Sequence, residues 1–259
     1  MMHMRIYLIR HAEPIVPGDG LTPKGRREAE ALSHRMESIP VKDFYVSPLI
    51  RARETAEPVL RRLNRTAETL PWLREFHGTF PDPVTGEMRH VAWDLMPKVW
   101  SSIPGVLNAG TWLDDPVFDR GTIRQVWQET TDGVDELMGR YGYRKDGPVW
   151  RCRQNTHDAI ACFCHFGISM AILGYLLDLS PMLLWHRAVM LPSSLTEIRT
   201  EERVPGEVSF RLVRLGDLSH LDRAGEAPST AALYPEVYTG IDSTYPYVNG
   251  TLQKKGSSV

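Results

Sequence analysis

Cysteine is scarce in this chain. Three residues in 259 form a small and odd set, which argues against a disulfide framework and points to reduced thiols in the cytoplasm. Long apolar runs are lacking too. None approaches the roughly 20 residues of a membrane-spanning helix. Residues 1–10 have neither a long apolar segment nor a small-residue cleavage site, which argues against a secretory signal peptide. There is no excess of charge: 30 Lys and Arg face 32 Asp and Glu, for a net charge of −2. Such a balance gives no global field to draw nucleic acid or an anionic membrane, so neither is expected as a partner. A basic pocket here has to be a local device. Internal repeats and low-complexity tracts are missing as well.

What is present alternates between strand and helix signals. Residues 4–9 are a β-branched and aromatic run that reads as a buried first strand. A Pro- and Gly-rich loop follows at 12–20. Thr22-Pro23 looks like an N-cap with proline at the first helical position, and Ala29, Leu32 and Met36 share one side of the next helix. Residues 44–46 read as a second strand. Ser47-Pro48 repeats the N-cap signal before Leu49, Ala52, Ala56, Val59, Leu60 and Leu63 at helical spacing. A short strand is expected at 66–70, a continuous apolar strand at 159–164, helices at 168–177 and 181–189, and strands, as a hairpin, at 195–199 and 208–215. This pattern predicts an α/β three-layer sandwich whose central sheet is mainly parallel and flanked by helices. The chain reads as one domain over 1–259. A helical cap insertion is expected at about 79–150, with helices at 89–101 and 122–141, and a loosely ordered tail at about 216–259.

In open α/β sheets ligands collect at the carboxyl ends of strands. Arg10-His11 directly follows the first strand, residues 47–51 the second, Glu75 the short third, and His165 the long apolar one. These residue types suit phosphoryl transfer. Arginine presents a planar fork to phosphate oxygens, and the reaction needs positioning and charge stabilisation around a group in line with its nucleophile. A neutral imidazole can form a phosphohistidine, and a carboxylic acid can protonate the leaving oxygen.

The motifs resemble the histidine phosphatase superfamily, the phosphoglycerate-mutase-like clan. Arg10-His11-Ala12-Glu13 matches its Arg-His-Gly/Ala-Glu segment, and Leu21-Thr22-Pro23-Lys24-Gly25 its Leu-Thr-x-x-Gly helix start. The stretch Ser47-Pro48-Leu49-Ile50-Arg51-Ala52-Arg53-Glu54-Thr55-Ala56 matches its Ser-x-x-x-Arg-Ala-x-x-Thr-Ala segment. Leu73-Arg74-Glu75-Phe76-His77-Gly78 and the strand-ending His165 complete the likeness, which covers residues 4–78 and 158–215. The resemblance implies that His11 is the nucleophile, that Arg10, Arg51 and His165 bind phosphoryl oxygens, and that Glu75 is the general acid and later the base for water. It implies no metal and no other cofactor, the arginines and a charged His165 supplying positive charge. Two departures stand out: Phe166 separates His165 from Gly167, and 14–17 (Pro-Ile-Val-Pro) lack the polar residue that often helps hold phosphate. The longer Trp- and Asn-containing loop of the mutases is missing, which favours hydrolysis.

Each residue also has a plainer reading. Arg51 in a first helical turn is an unfavourable cation unless an anion is near. Glu13, beside His11, competes with Glu75 for the role of acid. Arg53 reads as solvated or as a partner of Glu57. Cys162 and Cys164 share a strand face, but Cys-x-Cys-His without a second pair reads as buried thiols rather than zinc ligands. Trp93, Trp100, Trp112 and Trp127 either line a pocket for an apolar leaving group or pack a satellite core. Arg89, His90, Arg124, Arg140, Arg144, Lys145, Arg151 and Arg153 either form a second anion site or are solvated. The expected activity is a phosphomonoesterase acting on a small phosphorylated metabolite. The alternatives are a phosphoglycerate-type mutase needing a bisphosphorylated primer and a non-catalytic phosphate-binding regulatory module. A homodimer is left open.

Overall fold

The computed structural model describes residues 4–153 and 156–234, and the backbone of 247–248 and 251–252. The first half runs β1 (Arg5–Arg10), α1 (Pro23–Met36), β2 (Asp43–Val46), α2 (Ile50–Leu63), β3 (Ala67–Thr69), the two-residue strands β4 (Phe80–Pro81) and β5 (Met88–Arg89), α3 (Pro97–Trp100) and α4 (Ile123–Arg140). The second half adds β6 (Tyr143–Asp146), β7 (Val149–Cys152), β8 (Ala159–Cys164), α5 (Phe166–Leu177), α6 (Pro181–Arg187), β9 (Leu195–Val204), β10 (Glu207–Asp217) and α7 (Ser219–Ala224).

Residues 159–164 are apolar at every position because β8 is buried on both faces, as parallel strands covered by helices are. β8 lies between β1 and β2 and is parallel to both, and β3 is parallel to β2. Beyond β1 the pairing turns antiparallel, giving the order β3-β2-β8-β1-β9-β10-β7-β6. The alternation of side chains sorts the core into two layers. Tyr7, Ile9, Ala161 and Phe163 pack with Leu32, Met36, Ala52 and Val59 of α1 and α2. Ile6, Leu8, Ile160, Cys162 and Cys164 pack on the opposite face with α4, α5 and α6. The result is the three-layer α/β sandwich.

Several elements differ from the sequence expectation. In place of a helix over 89–101 there are a 3₁₀ turn at Ala92–Asp94 and the single turn of α3. Pro97 explains this: it has no N–H to donate, and it holds Met96 extended at ψ 148°. The end of the inserted stretch, β6 and β7, completes the far edge of the main sheet, where the exposed Arg144 and Asp146 suit a solvated edge. Trp100 and Trp112 belong to the same buried cluster as the sheet, not to a satellite core. The stretch expected to be loose from Gly216 begins with the end of β10 and with α7 against α1. Ser229 and Tyr234 then bond to Glu13 and Asp94. The rest of the expected tail lies outside the described residues, apart from the short backbone ladder between 247–248 and 251–252. Among the described residues no helix is long and apolar enough to cross a membrane.

Candidate active site

β1, β8, β2 and β3 are neighbours and parallel, so the residues that follow them emerge at one edge of the sheet. His11 leaves β1 with its N–H donating to Cys164 O (2.9 Å) at the end of β8, and its carbonyl accepts from Ser193 N–H (3.0 Å). Ala12 N–H donates to Thr55 Oγ1 (2.9 Å), and that hydroxyl donates to Arg51 O (2.7 Å). The loop bearing His11 is thereby pinned to the first turns of α2. The motif glycine Gly25 serves the same loop: a Cβ there would come within 2.3 Å of Glu13 O, so only glycine lets α1 start against it.

The His11 ring is buried, and Nδ1 lies 2.8 Å from Ala12 O. A carbonyl can only accept, so Nδ1 carries the proton and Nε2 keeps its lone pair. Burial pushes the pKa of His11 down to about 3, and Arg10 and Arg51 push the same way against the Ala12 hydrogen bond. The ring is therefore held in its neutral form near pH 7. His165 is fully buried, with its ring centroid 5.1 Å from that of His11. Its Nε2 sits 2.7 Å from Ser47 Oγ, and its Nδ1 has no hydrogen-bond partner among the described residues. Burial, then His11, Arg51 and Arg10, hold it well below the usual histidine range. Burial and the two arginines thus oppose the charged His165 expected from the sequence.

Arg10 donates through Nη1 to Met190 O and lies over the Phe166 ring at 5.7 Å. Burial lowers its pKa to about 10, with Glu75 opposing and Arg51 adding to the shift. Arg51 donates through Nη1 to Asp19 Oδ1 at 2.9 Å. The same carboxylate accepts from Ile50 N–H (2.7 Å) and Arg51 N–H (3.1 Å), so it caps α2 from outside. Ser47 does not N-cap α2 as expected. The helix starts later, after Leu49, and the Ser47 hydroxyl is occupied by His165 and by Leu49 N–H (3.3 Å).

Glu75 follows β3 by way of a 3₁₀ turn at Pro71–Leu73. Its Oε1 accepts from Phe76 N–H (2.9 Å) and from Ile168 N–H (3.1 Å) in the first turn of α5, the helix that His165 precedes. Gly167 makes this approach possible: a Cβ there would lie 2.8 Å from Glu75 Oε1 and 2.2 Å from the Trp93 rim. Glu13 takes no part in this corner, since its two carboxylate oxygens accept from Thr22 Oγ1 (2.8 Å) and Ser229 Oγ (2.6 Å). Arg10, His11, Arg51, Glu75 and His165 thus gather at one sheet edge. Asp19, Ser47 and Thr55 were missed as site residues, although Ser47 and Thr55 stand inside the motif that flagged Arg51.

The remaining candidates go elsewhere. In the loop after Glu13, Ile15 and Val16 are 45% and 82% exposed, and the loop reaches the site through Asp19, which holds Arg51. Arg89 pairs with Asp82, Arg124 with Asp119, Arg140 with Glu68 and Glu136, and Arg151 with Asp146 and Glu207, so these arginines are dispersed in ion pairs rather than gathered at a second anion site. Lys145 donates to Tyr175 O (2.8 Å). Arg61, not Arg53, pairs with Glu57. Cys162 and Cys164 are buried free thiols, and burial keeps both protonated, raising Cys164 to about 12.

A parallel sheet edge that gathers arginines, a histidine in its neutral form, a second histidine and a carboxylate suits the handling of a phosphoryl group. The family model of the histidine phosphatase superfamily (branch 1) matches residues 6–212. The chain belongs to that superfamily. Among solved structures, it resembles phosphoserine phosphatase from Entamoeba histolytica (TM-score 0.53, 18% identity, 84% of this chain and 99% of that one). It also resembles a mycobacterial glucosyl-3-phosphoglycerate phosphatase (TM-score 0.54, 20% identity, 83% and 99%). At these identities the likeness is one of fold. Among curated proteins it is 29% identical over 120 residues to the 2,3-bisphosphoglycerate-dependent phosphoglycerate mutase of Thermoplasma acidophilum, a match covering 37% of this chain and 58% of the mutase. It is also 38% identical over 111 residues to a PE-PGRS family protein of Mycobacterium tuberculosis, covering 40% of this chain and 19% of that protein.

Proposed function

We propose that the chain is a phosphomonoesterase that hydrolyses a small phosphorylated metabolite through a phosphohistidine on His11. His11 Nε2 attacks phosphorus in line with the leaving oxygen, the P–O bond breaks, and Glu75 gives its proton to the departing alkoxide. Glu75, now a carboxylate, takes a proton from the water that attacks the P–N bond, releasing inorganic phosphate and restoring the neutral imidazole. Arg10 and Arg51 hold the phosphoryl oxygens. Nδ1 of His165 is the third donor. In this reading the Ser47 hydroxyl, which accepts from Leu49 N–H, donates to Nε2, and the imidazole proton sits on Nδ1, which has no partner among the described residues. The arginines supply the positive charge, so the reaction as proposed needs no metal, and the cytoplasm is the compartment that suits the free thiols.

The observation that carries this reading is the His11 ring: buried, neutral, with its proton fixed on Nδ1 by Ala12 and its Nε2 lone pair available. Brief mixing with a radiolabelled monoester should leave acid-labile, base-stable phosphate on the protein. His11→Ala should carry none and should release phosphate more than about 10³-fold more slowly. A stable label on the alanine variant would move the nucleophile elsewhere. The mutase reading has one observation in its favour, the partial match to the Thermoplasma mutase. The short loop after His11 favours hydrolysis. Strict dependence on a bisphosphate, with isomerised product, would decide for the mutase.

A further inference from the structure

The in-line geometry just proposed puts the substrate's alcohol beside Glu75, and what surrounds that carboxylate decides which alcohols fit. Gly167 marks the spot. It is the point where the Trp93 rim, the start of α5 and Glu75 Oε1 come together. Trp93, on the 3₁₀ turn Ala92–Asp94, is half-buried and meets the half-buried Phe166 ring edge-on at 5.5 Å. Phe166 in turn carries the Arg10 guanidinium over its face. The wall is stiff from behind: buried Trp185 donates its indole N–H to Gly167 O (2.9 Å) and packs on Trp93 at 6.1 Å. The residue next to Trp93 is acidic: Asp94, which accepts from the Tyr234 hydroxyl.

We propose that Trp93 and Phe166 form the leaving-group subsite and select an uncharged, apolar or aromatic alcohol over one bearing a second anion. This rests on the hydrolytic reading above and narrows it to a substrate class. Aromatic faces offer area to a flat or apolar group and no donor to a carboxylate or second phosphate. The Asp94 carboxylate repels a second anion, and Glu75, which gives a proton to the leaving oxygen, adds no positive charge to hold one. Arg10 and Arg51 are engaged by the phosphoryl group. Phe166, which departs from the usual family pattern beside His165, thereby gains a role.

The test compares benzyl phosphate with 3-phosphoglycerate, two alkyl monoesters whose alcohols are both poor leaving groups, so the difference reports the subsite and not bond strength. kcat/KM should favour benzyl phosphate by about tenfold or more. Trp93→Leu, checked for an intact thermal transition, should bring the ratio toward one. Equal rates on the unaltered protein overturn the proposal, as does a preference for 3-phosphoglycerate, which would point to the exposed His77 as an anion contact. If neither ester is turned over, the hydrolytic reading falls, and binding decides the subsite by itself: benzylphosphonate should bind more tightly than 3-phosphonopropionate by calorimetry, and equal or reversed affinities reject it.

Discussion

Ser47 Oγ and His165 Nε2 lie 2.7 Å apart, and both side chains are fully buried. The pair joins the end of β2 to the end of β8 and leaves Nδ1 as the ring nitrogen without a partner among the described residues. Ser47→Ala leaves Nε2 buried without a partner, which costs about 1–3 kcal/mol, and frees the imidazole proton to move between its nitrogens. Urea unfolding should show that loss, and KM should rise several-fold while the phosphohistidine still forms. An unchanged KM would remove His165 Nδ1 from the set of phosphoryl donors.

Asp19 holds Arg51 by side chain and backbone together. Burial pulls its carboxyl upward, but the bonds from Ile50, Arg51 and the Arg51 guanidinium outweigh this and keep it below the usual range. Asp19→Ala removes the side-chain cap on α2, worth about 1 kcal/mol, and releases the Arg51 fork from its fixed orientation. Steady-state kinetics should show a fall in kcat/KM of about tenfold, mostly through KM. Tighter inhibition by inorganic phosphate would instead mean that Asp19 acts chiefly as a competing anion.

The buried histidines make a pH prediction with a definite sign. Burial lowers His11 to about 3 and His186 and His220 to about 4, and it holds His165 well below its usual range. In the unfolded chain each titrates near pH 6.5. Between these values the unfolded state binds more protons, so stability is highest above about pH 6.5 and is lost as pH falls toward the folded values, by up to about 1.4 kcal/mol per pH unit for each histidine. Urea unfolding should therefore lose up to about 7 kcal/mol between pH 7 and 5, about 2 for each of the four histidines. His186→Gln, which keeps a donor for Ala92 O, should make the slope shallower. Flat stability over this window would show that the imidazoles are protonated in the fold.

The same contrast between local and distant contacts explains how far the sequence could be read. β8 was legible because covering both faces makes every residue apolar, Arg10, His11 and His165 because they end or directly follow a strand, and Arg51 because it opens the helix after one. Ser47 read as a helix cap because a serine before a proline gives the same local signal whether its hydroxyl meets the helix or a histidine 118 positions away. Asp19 was invisible because it caps a helix from a loop 31 positions upstream. The β6–β7 hairpin has strands of only four residues, and its buried Tyr143, Trp150 and Cys152 are too few for the alternation to stand out. The roles of Trp93 and Phe166 depend on Gly167, and on packing that brings residues 93 and 167 together, which no spacing rule contains.

That contact also yields a prediction for the acid. Glu75→Gln keeps the acceptor for Ile168 N–H but cannot donate a carboxylic proton to the leaving oxygen. Its loss of kcat should be largest for alkyl esters, about 10²-fold or more, and small for nitrophenyl phosphate, whose leaving group needs little protonation. Gly167→Ala reaches the same atom by another route. Its methyl group would meet both the Trp93 rim and Glu75 Oε1, so either the indole or the carboxylate has to move, at about 1–3 kcal/mol of stability. If the carboxylate moves, Gly167→Ala shows the selectivity of Glu75→Gln, with alkyl esters slowed far more than nitrophenyl phosphate. If only the indole moves, both esters slow together. Equal losses for both esters in Glu75→Gln itself would take the general-acid role away from Glu75.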